Sequence, residues 1–228
     1  MKIIFLLTGI LFVSVPTFTQ DARSVMEQLK AKNDKVKDYE AAAKMKTNVV
    51  FIKAPVADIR IYYKNPDQVK IKNVSGVSFI PKGSVNINMG NIFSIKNYTA
   101  IDAGREKING TDTRVIKIIP EDENAEVVLA TLYVDEKNLL VLRSRTTTKE
   151  NGTYELDMTY KKYAGYGLPD QLTFSFNTKD FKLPKGVTFD YDNGSDKMEK
   201  KADNKKGTVE ISFSSYSVNK GISEDVFK

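Results

Sequence analysis

ADIRIYYKNPDQVKIK, residues 57–72, is the stretch that decides the fold. Apolar and polar side chains alternate along it on both sides of an Asn-Pro-Asp interruption. Such alternation predicts extended strands. Proline presets its own φ, and Asn and Asp bond their own backbone, so the interruption predicts a tight turn. The stretch is therefore predicted to be a β-hairpin with one polar, basic face and one apolar face. The apolar face carries Ile59, Ile61, Tyr63, Val69 and Ile71.

Similar alternation recurs along most of the chain. Asn-Gly turns at 109–110 and 151–152 and a polar turn at 135–138 separate the apolar stretches, while the polar, Lys-rich stretch 192–207 is predicted to be an exposed loop. Many short strands joined by tight turns predict an antiparallel sandwich or barrel. Such a sheet tends to curl, and one that stays partly open forms an apolar trough. The further predicted strands are 41–55, 77–80, 85–89, 113–119, 127–134, 139–146, 154–162, 171–177, 187–189 and 209–215.

Two segments depart from this alternation. Residues 22–39 repeat apolar side chains at helical spacing, which predicts one amphipathic helix with Asp21 as its N-cap. We expect this helix to lie across the mouth or the back of the sheet. Residues 90–98 contain large apolar side chains flanked by Gly and Asn, and they are predicted to form a short helix or an irregular lid.

Residues 1–20 have the pattern of a secretory signal peptide. Lys2 precedes an apolar run that is too short to span a bilayer as an ordinary helix, and Pro16 ends the run. We predict cleavage after Thr19 or Gln20, with residues 21–228 forming a single exported domain. The chain has no Cys to carry a lipid, so the exported protein is expected to be soluble and not itself a lipoprotein.

The composition excludes several functions. The chain of 228 residues contains no His and no Cys. It therefore cannot form a Ser-His-Asp triad, a Cys nucleophile, a haem-attachment motif or an ordinary zinc site. We predict no cofactor and no metal. The net charge of +6 is spread along the chain without a nucleic-acid-binding motif, which argues against nucleic acid and suits an anionic membrane surface or an acidic partner.

Several of these segments together resemble a known family. VMEQLKAKNDKVKDY at 25–39, IRIYYKNPDQVKI at 59–71, GREKINGTDTRVIKIIP at 104–120 and LYVDEKNLLVLR at 132–143 follow a leader without a lipid-attachment Cys. In this order they resemble the LolA-type outer-membrane lipoprotein carriers and their relatives. The hairpin residues Lys64, Asn65 and Pro66 resemble the family's Lys-Arg-Pro hairpin, although Asn65 stands where those carriers have Arg. Residues 90–98 resemble a remnant of the family's lid.

The resemblance implies a mainly β fold, an unclosed and strongly curved antiparallel half-barrel with an N-terminal amphipathic helix and a short lid. It also implies a periplasmic carrier without catalytic activity. Such a carrier binds the acyl chains of lipoproteins, or another lipid, in an apolar concave cavity and ferries them toward the outer membrane. The partners implied are an acylated lipoprotein or lipid, an inner-membrane release complex and an outer-membrane acceptor. We expect a monomer.

The candidate lipid-binding residues are the apolar positions of the predicted strands and lid. Ordinary core packing is the alternative for each of them, since antiparallel sheets usually bury one face. The sequence does not indicate which wall is concave. The candidates are Ile59, Ile61, Tyr63, Val69, Ile71, Phe93, Ile95, Leu132, Val134, Leu156, Met158, Phe174 and Phe176.

Two other functions remain open. One is an envelope sensor or adaptor on the same fold, which binds another protein while its cavity is regulatory; fold alone does not choose between the two. The other is a secreted β-rich enzyme that uses carboxylates. That enzyme would need paired Asp or Glu on one concave wall, whereas the predicted inward positions are nearly all apolar.

Overall fold

The computed structural model describes residues 21–49, 52–53, 56–76, 90–150, 152–177 and 206–228. The predicted leader, the strands at 77–80, 85–89 and 187–189, and all but the last two residues of the predicted loop 192–207 lie outside these ranges. The helices are α1 (Ala22–Asn33) and α2 (Gly90–Phe93), and two 3-10 helices span Ala164–Tyr166 and Glu224–Val226. The strands are β1 (Asp38–Val49), β2 (Ile52–Lys53), β3 (Ala57–Lys64), β4 (Gln68–Ser75), β5 (Tyr98–Ile108), β6 (Thr111–Pro120), β7 (Val127–Asp135), β8 (Leu140–Thr148), β9 (Gly152–Thr159), β10 (Gln171–Asn177) and β11 (Lys206–Val218).

The strands form one antiparallel sheet. Its order is β4-β3-β1-β11-β10-β9-β8-β7-β6-β5, with the short β2 beside β1. In the described part of the chain β4 and β5 are the two edges and do not pair with each other, so the sheet is an open half-barrel, as predicted. The pairing of β1 with β11 brings the first and last long strands of the described residues together, with Tyr39 opposite Val218.

The predicted hairpin is formed by β3 and β4. Ile61 lies opposite Ile71, and Tyr63 lies opposite Val69. Along β3 every second side chain is buried, which follows from the alternation of side chains across a pleated strand. The turn contains a cis Asn65–Pro66 peptide bond, and the Tyr63 hydroxyl donates a hydrogen bond to the Pro66 carbonyl at 3.2 Å. The sequence-based interpretation of this hairpin is confirmed.

A row of inward side chains crosses the middle of the sheet. It runs through Ile116, Leu132, Ser144, Leu156, Phe174 and Val209, each paired with the next across neighbouring strands. All six are buried. Each buried aliphatic or aromatic member contributes about 1.5–3 kcal/mol to folding. The single core of the described residues lies on this concave side of the sheet.

The predicted helix over 22–39 is too long. Helix α1 ends at Asn33, because Asn33 and Asp34 favour caps and turns over helix interiors. The chain then reverses, and Val36 and Tyr39 reach the core from outside the helix. Asp21 occupies the N-cap position, but its side chain makes no capping hydrogen bond. The helix lies across the sheet, and its apolar face is part of the core.

Strand β5 was not predicted. Its burial pattern shows almost no inward face, because it is an edge strand with most of its side chains in solvent. A bulge between Asp102 and Arg105 also interrupts its pairing with β6. Gly104 occupies the bulge with φ of +91°, a backbone conformation that favours glycine. With so few buried side chains, the strand has no clear alternation that the sequence could reveal.

Candidate functional site

An apolar cavity of about 70 Å³ lies between α1 and the concave side of the sheet. Leu29 of α1 faces it from one side, and Ile61, Val141, Met158 and Leu172 face it from strands of the sheet. A space of this size holds only a few water molecules. The concave wall is therefore filled mainly by the protein's own side chains.

The structure divides the thirteen predicted lipid-binding residues into two groups. Those that line the cavity are Ile61, Tyr63, Val69, Ile71, Phe93 and Met158. The others belong to the same core, or pack against it, without facing the cavity. These are Ile59, Ile95, Leu132, Val134, Leu156, Phe174 and Phe176.

Sequence reasoning missed a cluster of aromatic side chains beside the cavity. The ring centroids of Tyr39 and Tyr63 are 5.1 Å apart, and those of Tyr39 and Tyr216 are 5.3 Å apart in an edge-to-face contact. Tyr216 also contacts Tyr163 at 4.9 Å and Phe213 at 5.0 Å. Edge-to-face and offset arrangements are favoured because of the ring quadrupole. The cluster joins residues of β1, β3, β11 and the loop after β9. These segments are distant in the sequence, so no local sequence pattern predicts the cluster.

The hydroxyls of this region are tied to backbone carbonyls. Tyr160 donates to the Val141 carbonyl at 2.8 Å, and Tyr216 donates to the Pro169 carbonyl at 2.7 Å. Burial raises the pKa of Tyr39, Tyr160 and Tyr216 far above the ordinary value, so all three are neutral at physiological pH. The cavity thus offers apolar rings and neutral hydroxyls to whatever enters it.

Few polar contacts hold the C-terminal end of α1. The Lys32 ammonium donates to the Asn138 carbonyl at 2.8 Å, and burial lowers the pKa of this lysine. The Asn65 amide reaches the Asp34 carboxylate at 3.5 Å, a weak exposed contact. Asn65 thus contacts the residue after α1 without the planar fork that an Arg would offer.

The other members of the hairpin motif face different partners. The Lys64 ammonium pairs with the Glu224 carboxylate in the C-terminal 3-10 helix. The backbone N–H of Asn65 donates to the Lys37 carbonyl at 2.8 Å, and Pro66 accepts the Tyr63 hydroxyl. The motif therefore fastens the β3–β4 turn to the chain between α1 and β1 and to the C-terminal segment.

A second concavity lies on the outer face of β5–β9. It has a volume of about 460 Å³, and its lining includes Arg105, Lys117 and Arg145 with the single carboxylate Glu106. Arg105 pairs with Glu136 at 2.7 Å, whereas Lys117 and Arg145 form no ion pair with any other described residue. This outer groove is therefore basic.

Metal sites and membrane-spanning helices were both looked for among the same residues. Within the described ranges, no three Asp or Glu side chains gather closely enough to hold a metal ion. Over the same ranges, no helix has the length and apolar character needed to cross a membrane.

An open antiparallel half-barrel with a helix across its concave side is the LolA-type fold, and solved structures match it over most of their length. A domain described as an outer membrane lipoprotein-sorting protein, from Vibrio parahaemolyticus, is 12% identical with a TM-score of 0.55, over 90% of this chain and 94% of that one. A LolA superfamily protein from Nitrosomonas europaea is 9% identical with a TM-score of 0.58, over 91% and 97%. A DUF1329 family protein from Desulfovibrio piger is 15% identical with a TM-score of 0.56, over 92% and 98%.

These identities are low, so the likeness is one of fold. No family model matches the sequence, and no curated protein matches it. The predicted LolA-type fold is confirmed, and the function must be argued from the site.

Proposed function

We propose that this protein is a periplasmic carrier that binds the acyl chains of lipoproteins, or another lipid, on its concave face and ferries them toward the outer membrane. Residues 1–20 direct export and are removed, and residues 21–228 act as one soluble domain without catalysis. The observation that carries the proposal is the apolar cavity between α1 and the sheet. The fold shared with a lipoprotein-sorting domain supports it.

The cavity is too small for an acyl chain, so cargo must displace side chains that now fill the concave wall. The apolar face of α1 is the displaceable part, because side-chain contacts alone are seen to join the helix to neighbouring segments in the described residues. Lys32 and Asp34 make them at its C-terminal end, and the Arg23 guanidinium lies 5.5 Å from the Tyr98 ring centroid near its start. The strands, in contrast, are fixed to their neighbours by ladders of backbone hydrogen bonds. We infer that cargo replaces α1 against the sheet.

The free energies favour this exchange. Helix α1 buries Val25, Met26 and Leu29, and side chains of this size contribute about 1.5–3 kcal/mol each, roughly 5–9 kcal/mol together. An acyl chain of about sixteen carbons gains roughly 10–12 kcal/mol at 0.8 kcal/mol per CH₂. Ordering of the chain reduces that gain. A long acyl chain can therefore compete with α1, whereas a short chain cannot.

Native mass spectrometry of residues 21–228, purified gently from a bacterial periplasm, tests the proposal. The expected result is a mass excess that extracts into chloroform as an acyl lipid or lipopeptide. An apo mass that stays unchanged when lipid or lipopeptide is added contradicts it. In that case the cavity is only a packing defect in an ordinary core.

The second candidate is an adaptor that binds another protein, and the outer groove favours it. Lys117 and Arg145 lie there without acidic partners among the described residues, which suits an acidic protein segment. Exchanging both for Glu should weaken capture of such a partner and leave lipid binding unchanged. An apo mass together with this loss of capture would establish the adaptor in place of the carrier.

A further inference from the structure

The inner face of β8 changes in polarity along the strand. Val141, near its start, lines the cavity. Ser144 lies further along, between Leu132 of β7 and Leu156 of β9. Thr146 follows on the same face. The middle of an otherwise apolar wall thus presents two hydroxyl groups in succession.

Neither hydroxyl is satisfied by the described residues. Ser144 and Thr146 are fully buried, and neither side-chain oxygen makes a hydrogen bond within the described part of the chain. The Thr146 hydroxyl lies near the Tyr154 phenol on the paired strand, and this closeness partly offsets the rise that burial causes in the pKa of Tyr154. The contact falls short of hydrogen-bond geometry. Buried polar groups are nearly always bonded, because an unbonded one opposes folding.

We propose that Ser144 and Thr146 form a polar subsite that binds the carbonyl oxygens of fatty-acyl esters. The inference rests on the proposed carrier function and names the class of cargo, an esterified acyl chain as opposed to a bare hydrocarbon. A hydroxyl donates one hydrogen bond, and an ester carbonyl accepts without donating. The backbone groups of β8 pair with β7 and β9, so the side chains are left to provide the polar contacts.

The spacing along the strand suits such a cargo. At about 3.3 Å per residue, Ser144 lies roughly 10 Å from Val141, and Thr146 lies roughly 7 Å further on. An ester held at the two hydroxyls can extend its hydrocarbon past Ser144 toward Val141 and the cavity. The headgroup then points toward the end of β8 at Thr148. Ligand sites commonly combine an apolar wall with a few placed polar groups that fix orientation.

Ester and ether lipids of equal chain length test the inference. The probe N-phenyl-1-naphthylamine is first bound to residues 21–228. Its displacement by 1,2-dipalmitoylglycerol gives the affinity for the ester, and its displacement by the dihexadecyl ether analogue gives the affinity for the ether. The wild-type protein is expected to prefer the ester by about fivefold for each hydroxyl, the contribution of one neutral hydrogen bond. Ser144→Ala and Thr146→Val should remove this preference, leave ether binding unchanged, and not lower the midpoint of thermal unfolding.

Thr147→Val is the matched control, since Thr147 lies on the outer face, where its hydroxyl lies 2.9 Å from that of Thr153. It should leave the ester preference intact. Equal affinities of the wild-type protein for ester and ether, or a lower unfolding midpoint in Ser144→Ala, overturn the subsite while the carrier function stands. Binding of neither lipid by the wild-type protein overturns the carrier function, and the subsite with it.

Discussion

Replacing Leu29 by Ala tests whether α1 occupies the place of the cargo. Leu29 is 4% exposed, belongs to α1 and lines the cavity. Truncating a buried Leu to Ala removes its transfer free energy and leaves a void, which together cost about 2–5 kcal/mol. We take about 3 kcal/mol, because the existing cavity already deprives the side chain of some neighbours.

The same change should strengthen cargo binding. If α1 and the acyl chain compete for one wall, weakening the docking of α1 on the sheet favours the acyl chain. A weakening of about 3 kcal/mol raises the apparent affinity for the lipid by up to roughly 100-fold, since 1.4 kcal/mol corresponds to a factor of ten. Unfolding in urea measures the loss of stability. Displacement of N-phenyl-1-naphthylamine by dipalmitoylglycerol measures the affinity.

Leu132→Ala is the control for this experiment. Leu132 is fully buried in the same core, but it belongs to β7 and not to the helix. It should lose a similar amount of stability without any gain in affinity. If Leu29→Ala, like Leu132→Ala, brings no gain in affinity, α1 is part of the fixed wall, and the exchange of helix for cargo is refuted.

Three further substitutions have defined outcomes. Ile71→Glu places a charge on the half-buried cavity wall. Dipalmitoylglycerol should then no longer displace N-phenyl-1-naphthylamine, while the circular dichroism spectrum stays native-like. Retained lipid binding would remove Ile71 from the site. Gly207→Ala brings a Cβ within 2.7 Å of the Phe176 ring, which should cost about 1–3 kcal/mol in urea unfolding, and an unchanged midpoint would contradict that close packing. Asp102 accepts hydrogen bonds from the Gly104 N–H and from Arg114, and these hold the pKa of its carboxyl below the usual range. Its stabilising effect is therefore present above about pH 4 and is lost as the pH falls through the lowered folded-state value. In a series of thermal-unfolding measurements at falling pH, Asp102→Asn should lose less stability between neutral and acidic pH than the wild-type protein. An equally steep loss of stability in the variant would contradict this role of Asp102.

The strands with one buried face could be predicted well from the sequence. Residues 171–177 were predicted as a strand and are β10, and the hairpin around Pro66 has the predicted turn. Both depend on alternation and turn chemistry, which are local properties of the backbone. The end of α1 and the edge strand β5 were missed. Val36 and Tyr39 continue the helical spacing by chance after the chain has turned, and β5 has too few buried side chains to produce a clear pattern.

The sequence by itself determined that the chain forms many antiparallel strands with one apolar face, and that His- and Cys-based catalysis is impossible. Only the tertiary structure decided which apolar residues border a cavity and which fill the core. Ile61 and Ile59 are equivalent in the pattern, yet only Ile61 lines the cavity. The reason is that alternation is set by the local pleat of one strand. The space left beside that strand depends on how Leu29, Met158 and Tyr216, distant in the sequence, pack together.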